Sequence, residues 1–324
     1  MVEVTAVMIT KRSEPHIDWA LQSLKQQTFR DFEYIIVDGY WNKRKDQVAK
    51  LIKDMDIQFP VLHIPDKASR WKGQRPCISN ARNTAMVFAN GKYMVFADDC
   101  CKMRSNWLER HRDWLSKGYL SAGAWIGCQS TDANGNCIEG IYGLEQRSKI
   151  ITRPAEVDNV WLYGGNMGFP LDAALSINCF DEYLDGEFGQ DDTNFAIRLG
   201  RKGYKTLFDP FCMIEYHMST HIYDKVVAPV EKVLRDGVKH FSNEYLTQKL
   251  IYEEKDKIWT WGNTVDMQGA RKLFGSGNGF GKWTYPLEDM FKMMESWVDG
   301  NKYDWRDGRL IEDKLKSEPS WEMK

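Results

Sequence analysis

Three short apolar runs, separated by helix-patterned segments and each running into charged residues, limit most tightly what this chain can fold into. Residues 4–9 form one run, bounded by Thr10-Lys11-Arg12, which is the pattern of a strand covered on both faces. A helix opens near Ser13 and Pro15, with Ile17, Ala20, Leu21 and Leu24 at i, i+3, i+4, i+7 spacing. Residues 34–37 make a second strand that stops on Asp38-Gly39. A polar helix over about 42–53, a third strand over 61–64 and a helix around 79–89 follow. The Asn90-Gly91 turn then leads into a fourth strand at 93–97, which stops on Asp98-Asp99.

Strands alternating with helices imply an α/β fold: a mostly parallel doubly wound sheet with helices on both faces. Ligands of such sheets sit beyond the carboxyl ends of the strands. Asp38 and Asp98-Asp99 therefore offer carboxylates to one crevice.

Past Trp107 the pattern changes. We expect a short helix, a strand near 125–128, a turn-rich stretch around 132–143 and a loop over 161–166. A helix over 191–199 carries Phe195, Ala196 and Leu199 on one face, and short strands at 205–208 and 212–214 deliver His217. From about Asp224 a charged helical segment runs to about Lys257, then Trp- and Gly-rich loops and a polar end. That tail holds Trp259, Trp261, Trp283, Trp297, Trp305 and Trp321, six of 13 tryptophans, too many for a disordered linker. The expected organisation is residues 1–223 as one α/β domain, with a donor half at 1–105 and an acceptor half at 106–223. Residues 224–324 form a C-terminal helical and aromatic appendage.

With 44 basic and 46 acidic residues, the net charge of −2 supplies no general drive toward nucleic acid or anionic membrane. Lys232, Arg235, Lys239 and Lys249 in the tail leave a local polymer grip open. The seven cysteines are scattered without a Cys-x-x-Cys spacing, so a cytoplasmic protein without disulfides is expected. No apolar run approaches the ~18 residues of a membrane helix, and the N-terminus reads as a strand rather than a leader.

The matching elements are residues 4–10, Ile35-Ile36-Val37-Asp38, Ser79-Asn80-Ala81-Arg82-Asn83 and Phe96-Ala97-Asp98-Asp99-Cys100. In that order they resemble the family 2 glycosyltransferases of the nucleotide-binding GT-A fold, over about residues 3 to 220. The resemblance implies a nucleotide-sugar donor, with a uridine-linked donor favoured, and a divalent cation, Mn²⁺ or Mg²⁺, neutralising the leaving diphosphate. It implies donor contacts from Thr10, Arg12, Asp38, Arg82, Asp98 and Asp99, and metal ligation by Asp99 and His217, with Asp98 and Cys100 as further candidates. Cys100 stands where the family's second metal-binding aspartate falls, and a thiolate suits Mg²⁺ poorly. His221 competes with His217 for the ligand role. Lys72, Arg75 and Lys11 are further candidates for phosphate contacts or ordinary solvated charge.

Downstream, residues 161–169, Phe180-Asp181-Glu182 and Gly189-Gln190-Asp191-Asp192 resemble the acceptor block of inverting galactosyltransferase-like enzymes of this fold. That implies Asp191 as general base and Trp161, Tyr163, Gly165 and Asp192 as acceptor contacts. First-turn carboxylates favoured by the helix dipole are the alternative for Asp191 and Asp192, weaker once Gly164-Gly165 precedes them; core packing explains Trp161 and Tyr163 equally well, and a solvated turn is the alternative for Asp98-Asp99. A retaining transferase, or a nucleotide-sugar-binding protein weakened in catalysis, are the competing readings. The acceptor, whether glycan, protein or nucleic-acid base, is open. Gly275 to Gly281 is not a phosphate cradle, having no feeding strand and no Lys-Ser/Thr pair, and Cys100-Cys101 reads as buried rather than redox-active.

Overall fold

The computed structural model describes residues 2–67, 77–131, 137–185 and 189–217. In the C-terminal part it describes residues 247, 250–252, 255–256, 258, 263, 267–275 and 285–300. The 223/224 boundary, most of the charged helical segment, Lys72, Arg75, His221, the four tail cations and residues 276–281 lie outside the described residues, as do the tail tryptophan side chains.

The chain runs β1 (Val4–Thr10), α1 (Ile17–Lys25), β2 (Phe32–Asp38), α2 (Trp41–Asp54), β3 (Val61–Ile64), α3 (Ile78–Phe88) and β4 (Tyr93–Ala97). It continues through β5 (Cys101–Met103), α4 (Trp107–Ser116), β6 (Leu120–Thr131), β7 (Cys137–Leu144), α5 (Gln146–Ile150), β8 (Ala155–Val157) and β9 (Asn166–Pro170). Then come α6 (Leu171–Ser176), α7 (Asp191–Arg201), β10 (Thr206–His217), α8 (Met267–Phe274) and α9 (Leu287–Gly300). The described strands form one sheet in the order β3-β2-β1-β4-β9-β6-β10-β5, with β7 on β6 and β8 on β10. β3, β2, β1 and β4 are parallel, β9 runs antiparallel between β4 and β6, and β10 is parallel to β6.

Side-chain alternation along the strands divides the interior in two, because successive residues point to opposite faces. Val4, Ala6 and Met8, with Tyr34, Ile36, Val95 and Ala97, pack under α1, α2 and α4. Val7, Ile35, Val37, Met94 and Phe96 face the other way, onto α3, α6, α7, α8 and α9. On that second face Phe180 and Phe195 stack at 3.9 Å, with Phe169 edge-on to Phe195 at 4.8 Å. The described part of the tail joins this core: Arg271 donates to the Met86 carbonyl at 2.8 Å, and Phe291 stacks on Phe88.

Four expectations about elements are corrected. The strand expected at 125–128 is the middle of the longer β6. The stretch expected to be turn-rich contains β7, which pairs antiparallel with β6. The two short strands before His217 are one strand, β10, whose register shifts between Asp209 and Met213. Asp209 anchors this irregularity by accepting from Phe211 N, Trp114 Nε1 and Arg110 Nε at 2.8 to 2.9 Å. β9, absent from the sequence reading, is a central strand.

Candidate active site

β1, β2 and β4 end together, and the register that pairs Thr10 with Asp38 brings Thr10, Asp38 and Asp98-Asp99 to one edge. Their side chains have different fates. Asp99 is buried and accepts from Thr10 Oγ1 at 2.6 Å and from Arg12 Nε at 2.7 Å. Thr10 and Arg12 therefore spend their polar groups on a carboxylate of the neighbouring strand. Asp38 is more enclosed still. Its carboxylate accepts from Tyr40 N at 2.7 Å, Arg44 Nε at 2.9 Å and His63 Nε2 at 3.0 Å, and Arg44 makes a second, shorter contact. Burial alone would raise this acid, but hydrogen bonds from His63, Arg44 and Tyr40 outweigh it and hold the pKa at about 2.

Replacing Asp38 with Asn leaves the buried Arg44 guanidinium unmatched. The expected loss is about 3–5 kcal/mol of folding stability, read by urea denaturation. A loss under about 1 kcal/mol would show that solvent reaches this pair.

Asp98 is the carboxylate left available. It is half-buried, and no described residue donates a side-chain hydrogen bond to it. Burial and the Asp99 charge push it up to about 6, against the opposing pull of Arg82 and Arg12. The main-chain N–H of Asp98 bonds Gly165 O at 3.3 Å, which sets the diglycine beside it.

The diglycine is explained by space. A Cβ on Gly164 would collide with the Arg82 guanidinium, and one on Gly165 would lie 2.8 Å from Asp98 Oδ2. A larger residue at either position would have to push one of these two side chains aside. Asp192 fixes the passage from the far side, accepting from Gly164 N at 2.7 Å. Gly165→Ala should displace Asp98 and lower turnover about 10²-fold, the usual effect of shifting a catalytic group by about 1 Å. Steady-state kinetics against the unchanged-fold criterion of circular dichroism checks this, and near-normal turnover would remove Asp98 from the chemistry.

Arg82, one turn into α3, ion-pairs with Asp191, the first residue of α7, and lies over the Phe180 ring at 5.0 Å. Asp191 is buried, and burial raises its pKa to about 6 although Arg82 pulls downward. Gln190, at φ 67, and Gly189, at φ 87, turn the chain so that α7 begins here. The N-terminus of α3 is capped from a distance, with Asp185 accepting from Ser79 N and Asn80 N at 2.8 and 3.0 Å. Behind it Lys67 and Glu182 form a fully buried ion pair, which Asn83 Nδ2 joins at 2.8 Å.

Trp161 is half-buried and Tyr163 is 42% exposed. Beneath Tyr163 lies Arg147, its guanidinium 4.1 Å from that ring and 4.7 Å from Phe208. Glu145 holds Arg147 through both carboxylate oxygens, and Arg147 also bonds Trp161 O and Gly123 O. Nothing in the spacing of Glu145 and Arg147 announces this support. Asn166 is likewise silent in sequence and central in space. Its Oδ1 accepts from Trp107 Nε1 and His111 Nε2, while its Nδ2 donates to Ala124 O and Cys212 O, all between 2.7 and 2.9 Å.

His217, expected as a ligand of the donor-site cation, closes β10 beside two other ligand-type side chains. Ligand-type atoms of Cys128, Glu215 and His217 lie within 4.8 Å of one another, and no such group of three among the described residues contains Asp98, Asp99 or Cys100. The physical reason is the ladder, which sets His217 opposite Cys128 and on the same face as Glu215. Cys100 and Cys101 are both buried, and burial pushes the Cys101 thiol well above its ordinary value, which makes it unreactive.

Around the Gly164-Gly165 passage, four carboxylates (Asp98, Asp99, Asp191, Asp192) meet two guanidiniums (Arg12, Arg82). Among the described residues two negative charges are in excess there, and the Asp98 carboxylate accepts no side-chain hydrogen bond. This donor set fits a hard divalent cation.

Residues 5–136 match the sequence model of the family described as glycosyl transferase family 2. No curated protein matches the chain. The fold is similar to a crystal structure of GalNAc-T7 with UDP, GalNAc and Mn²⁺, at TM-score 0.48 and 15% identity, over 67% of this chain and 43% of that one. It is also similar to S. aureus TarS 1-349 in complex with UDP, at TM-score 0.48 and 14% identity, over 95% of both chains. The chain spans less than half the length of the GalNAc-T7 chain. Among the described residues no helix is long and apolar enough to cross a membrane.

Proposed function

We infer that this chain, whose residues 5–136 are a glycosyl transferase family 2 region, is a nucleotide-sugar glycosyltransferase that transfers with inversion from a uridine-linked donor. The observation that carries the reading is Asp191: a buried carboxylate at a helix start, pKa about 6, ion-paired to Arg82 and one residue from the carboxylate that fixes Gly164. Near neutral pH it is ionised, and so equipped to take a proton.

In the proposed reaction the acceptor hydroxyl attacks the anomeric carbon as the bond from that carbon to the diphosphate breaks. The hydroxyl proton passes to Asp191, and the electron pair of the broken bond leaves with the nucleotide. Arg82 orients Asp191, and Asp98 faces the donor across Gly165. A hard divalent cation, Mn²⁺ or Mg²⁺, would be held by Asp98 and would neutralise the leaving diphosphate. The exposed Tyr163 ring, stiffened by Arg147 beneath it, offers an aromatic face to the acceptor. We place the catalytic unit in residues 1–223, with α8 and α9 buttressing α3 from the tail.

One observation favours a second reading, a nucleotide-sugar-binding protein with little turnover: Asp38 and Asp99, two of the expected donor contacts, are already neutralised by Arg44 and Arg12. The test is donor hydrolysis and transfer over a panel of nucleotide sugars with Mn²⁺, Mg²⁺ or chelator, with the product anomer read by proton NMR. Inverted product that requires the cation is expected. Retained configuration would remove Asp191 as base, and donor binding without turnover under every condition would establish the second reading.

A further inference from the structure

We propose that Phe180 is a positioning residue for the Arg82–Asp191 pair, and that the turn over residues 177–182 serves to hold its ring against the Arg82 guanidinium. The proposal deepens the glycosyl-transfer reading and rests on Asp191 as the base. Its first support is the way Arg82 is held. Among the described residues Asp191 is the one hydrogen-bond partner of Arg82, and Arg82 Nε is buried without any. A guanidinium is fixed in its plane when two parallel bonds grip it, and here one end alone is gripped. Packing must set the plane instead. The Phe180 ring centre lies 5.0 Å from the guanidinium carbon, and Gly164 passes so close that a Cβ on it would collide with Nη2. Arg82 and Phe180 are both buried, and a cation is drawn to an aromatic face most strongly where water is excluded.

The second support is what else the ring touches. Phe195 stacks on it at 3.9 Å with the planes 13° apart, and Phe195 belongs to α7, the helix that begins at Asp191. Phe169 and Phe96 meet it edge-on at 6.1 and 6.5 Å. Arg82 comes from α3 and Asp191 from α7, so Phe180 is a spacer in contact with both helices that supply the pair.

The third support is the backbone that carries the ring. Asn178 at φ 57 and Cys179 at φ 61 are consecutive non-glycine residues in the left-handed region, a costly arrangement that persists only where the surroundings over-determine it. Three side chains from distant parts of the chain do so, each with two hydrogen bonds to this main chain. Arg198 of α7 donates to Ile177 O and Cys179 O, both at 2.8 Å. Asn83 of α3 accepts from Phe180 N and donates to Phe180 O, both at 3.0 Å. Asn263 of the tail donates to Asn178 O at 2.6 Å and accepts from Glu182 N at 3.0 Å. An apolar core needs apolar volume here, but it does not need a turn so constrained.

The experiment is steady-state release of UDP from a panel of UDP-hexoses with Mn²⁺ present, by the full-length wild type, Phe180→Leu, Phe169→Leu, Arg82→Met and the Phe180→Leu/Arg82→Met double variant. Leucine keeps apolar volume and removes the ring face. Phe180→Leu should lower kcat about 10-fold, less than the ~10²-fold of a full 1 Å displacement, and leave the donor KM little changed. Phe169→Leu, a change in the same aromatic cluster away from Arg82, should lose stability and keep kcat. Because the ring acts through Arg82, the double variant should be no slower than Arg82→Met alone. Near-normal kcat in Phe180→Leu, an equal loss in Phe169→Leu, or a loss in the double variant that adds to that of Arg82→Met would each overturn the proposal. If Phe180→Leu fails to fold, Asn263→Ala decides: it touches neither Arg82 nor Asp191, and it should lower kcat at unchanged KM, an unchanged kcat overturning the proposal. Near-normal turnover in Asp191→Asn, or none in the wild type, overturns the transfer reading and this proposal together. Loss in Asp191→Asn beside near-normal Phe180→Leu overturns this proposal alone.

Discussion

Asp191→Asn should lower transfer by about 10²- to 10⁴-fold, the contribution of a positioned general base, while donor affinity changes little. The amide keeps the volume of the carboxylate and a hydrogen-bonding oxygen for Arg82, so the loss would lie in kcat. The same assignment fixes the pH dependence of the wild type. Asp191 and Asp98 are both raised to about 6, by burial first and then by like charge. Transfer should therefore rise through about pH 6 and level off above it. Stability has the opposite sign, because these acids bind protons more tightly when folded. Their contribution is fully present below the ordinary carboxylate range and is lost as pH rises through about 6. A profile flat from pH 5 to 8, or near-normal kcat in Asp191→Asn, would move the base elsewhere.

Arg82→Met should be as damaging by a different route. Arg82 is the cation that pulls down both Asp98 and Asp191, and its own ion pair with Asp191 is buried. Without it burial acts unopposed, both acids move above about 6, and the rising limb of activity shifts to higher pH. At neutral pH the base would be largely protonated, with a loss of at least about 10²-fold expected from missing base and orientation together. Raising the pH should restore part of the activity to Arg82→Met and none to Asp191→Asn. Stability should also fall by about 3–5 kcal/mol once the pH exceeds the raised pKa of Asp191 in the variant, where that carboxylate would be charged and unpaired. If the two variants had the same pH profile, Arg82 would be a scaffold residue only.

The parts of this fold legible in the sequence are those whose physics is local. β1, β2 and β4 are buried on both faces, so they read as apolar runs, and the amphipathic stripes of α1 and α7 follow from spacing. β9 is illegible because Asn-Met-Gly-Phe-Pro carries three strand-disfavouring residues, and its place is set by neighbours far away in sequence. β7 is hidden by the Gly- and Asn-rich segment leading into it. At the site, the sequence points to an acidic pair without saying which member is spoken for. Arg12 and Thr10 choose Asp99, across 87 and 89 residues of chain, and so leave Asp98. Gly164-Gly165 was legible as a motif, but its reason, the squeeze between Arg82 and Asp98, is tertiary. Arg147, Asn166 and Asp185 had no signal at all, since single polar residues acquire such roles only from what the fold brings to them.

The position of β9 decides what kind of folding unit this chain is. The segment shared with the family ends at residue 136, yet the strand that joins β4 to β6 begins at Asn166, and the cap of α3 waits at Asp185. A piece of chain cut at 136 would keep the sheet β3-β2-β1-β4 with an open β4 edge and leave β5 and β6 without any of their described partner strands. The matched sequence block is therefore not a self-sufficient body, because its sheet closes only through strands that come later in the chain.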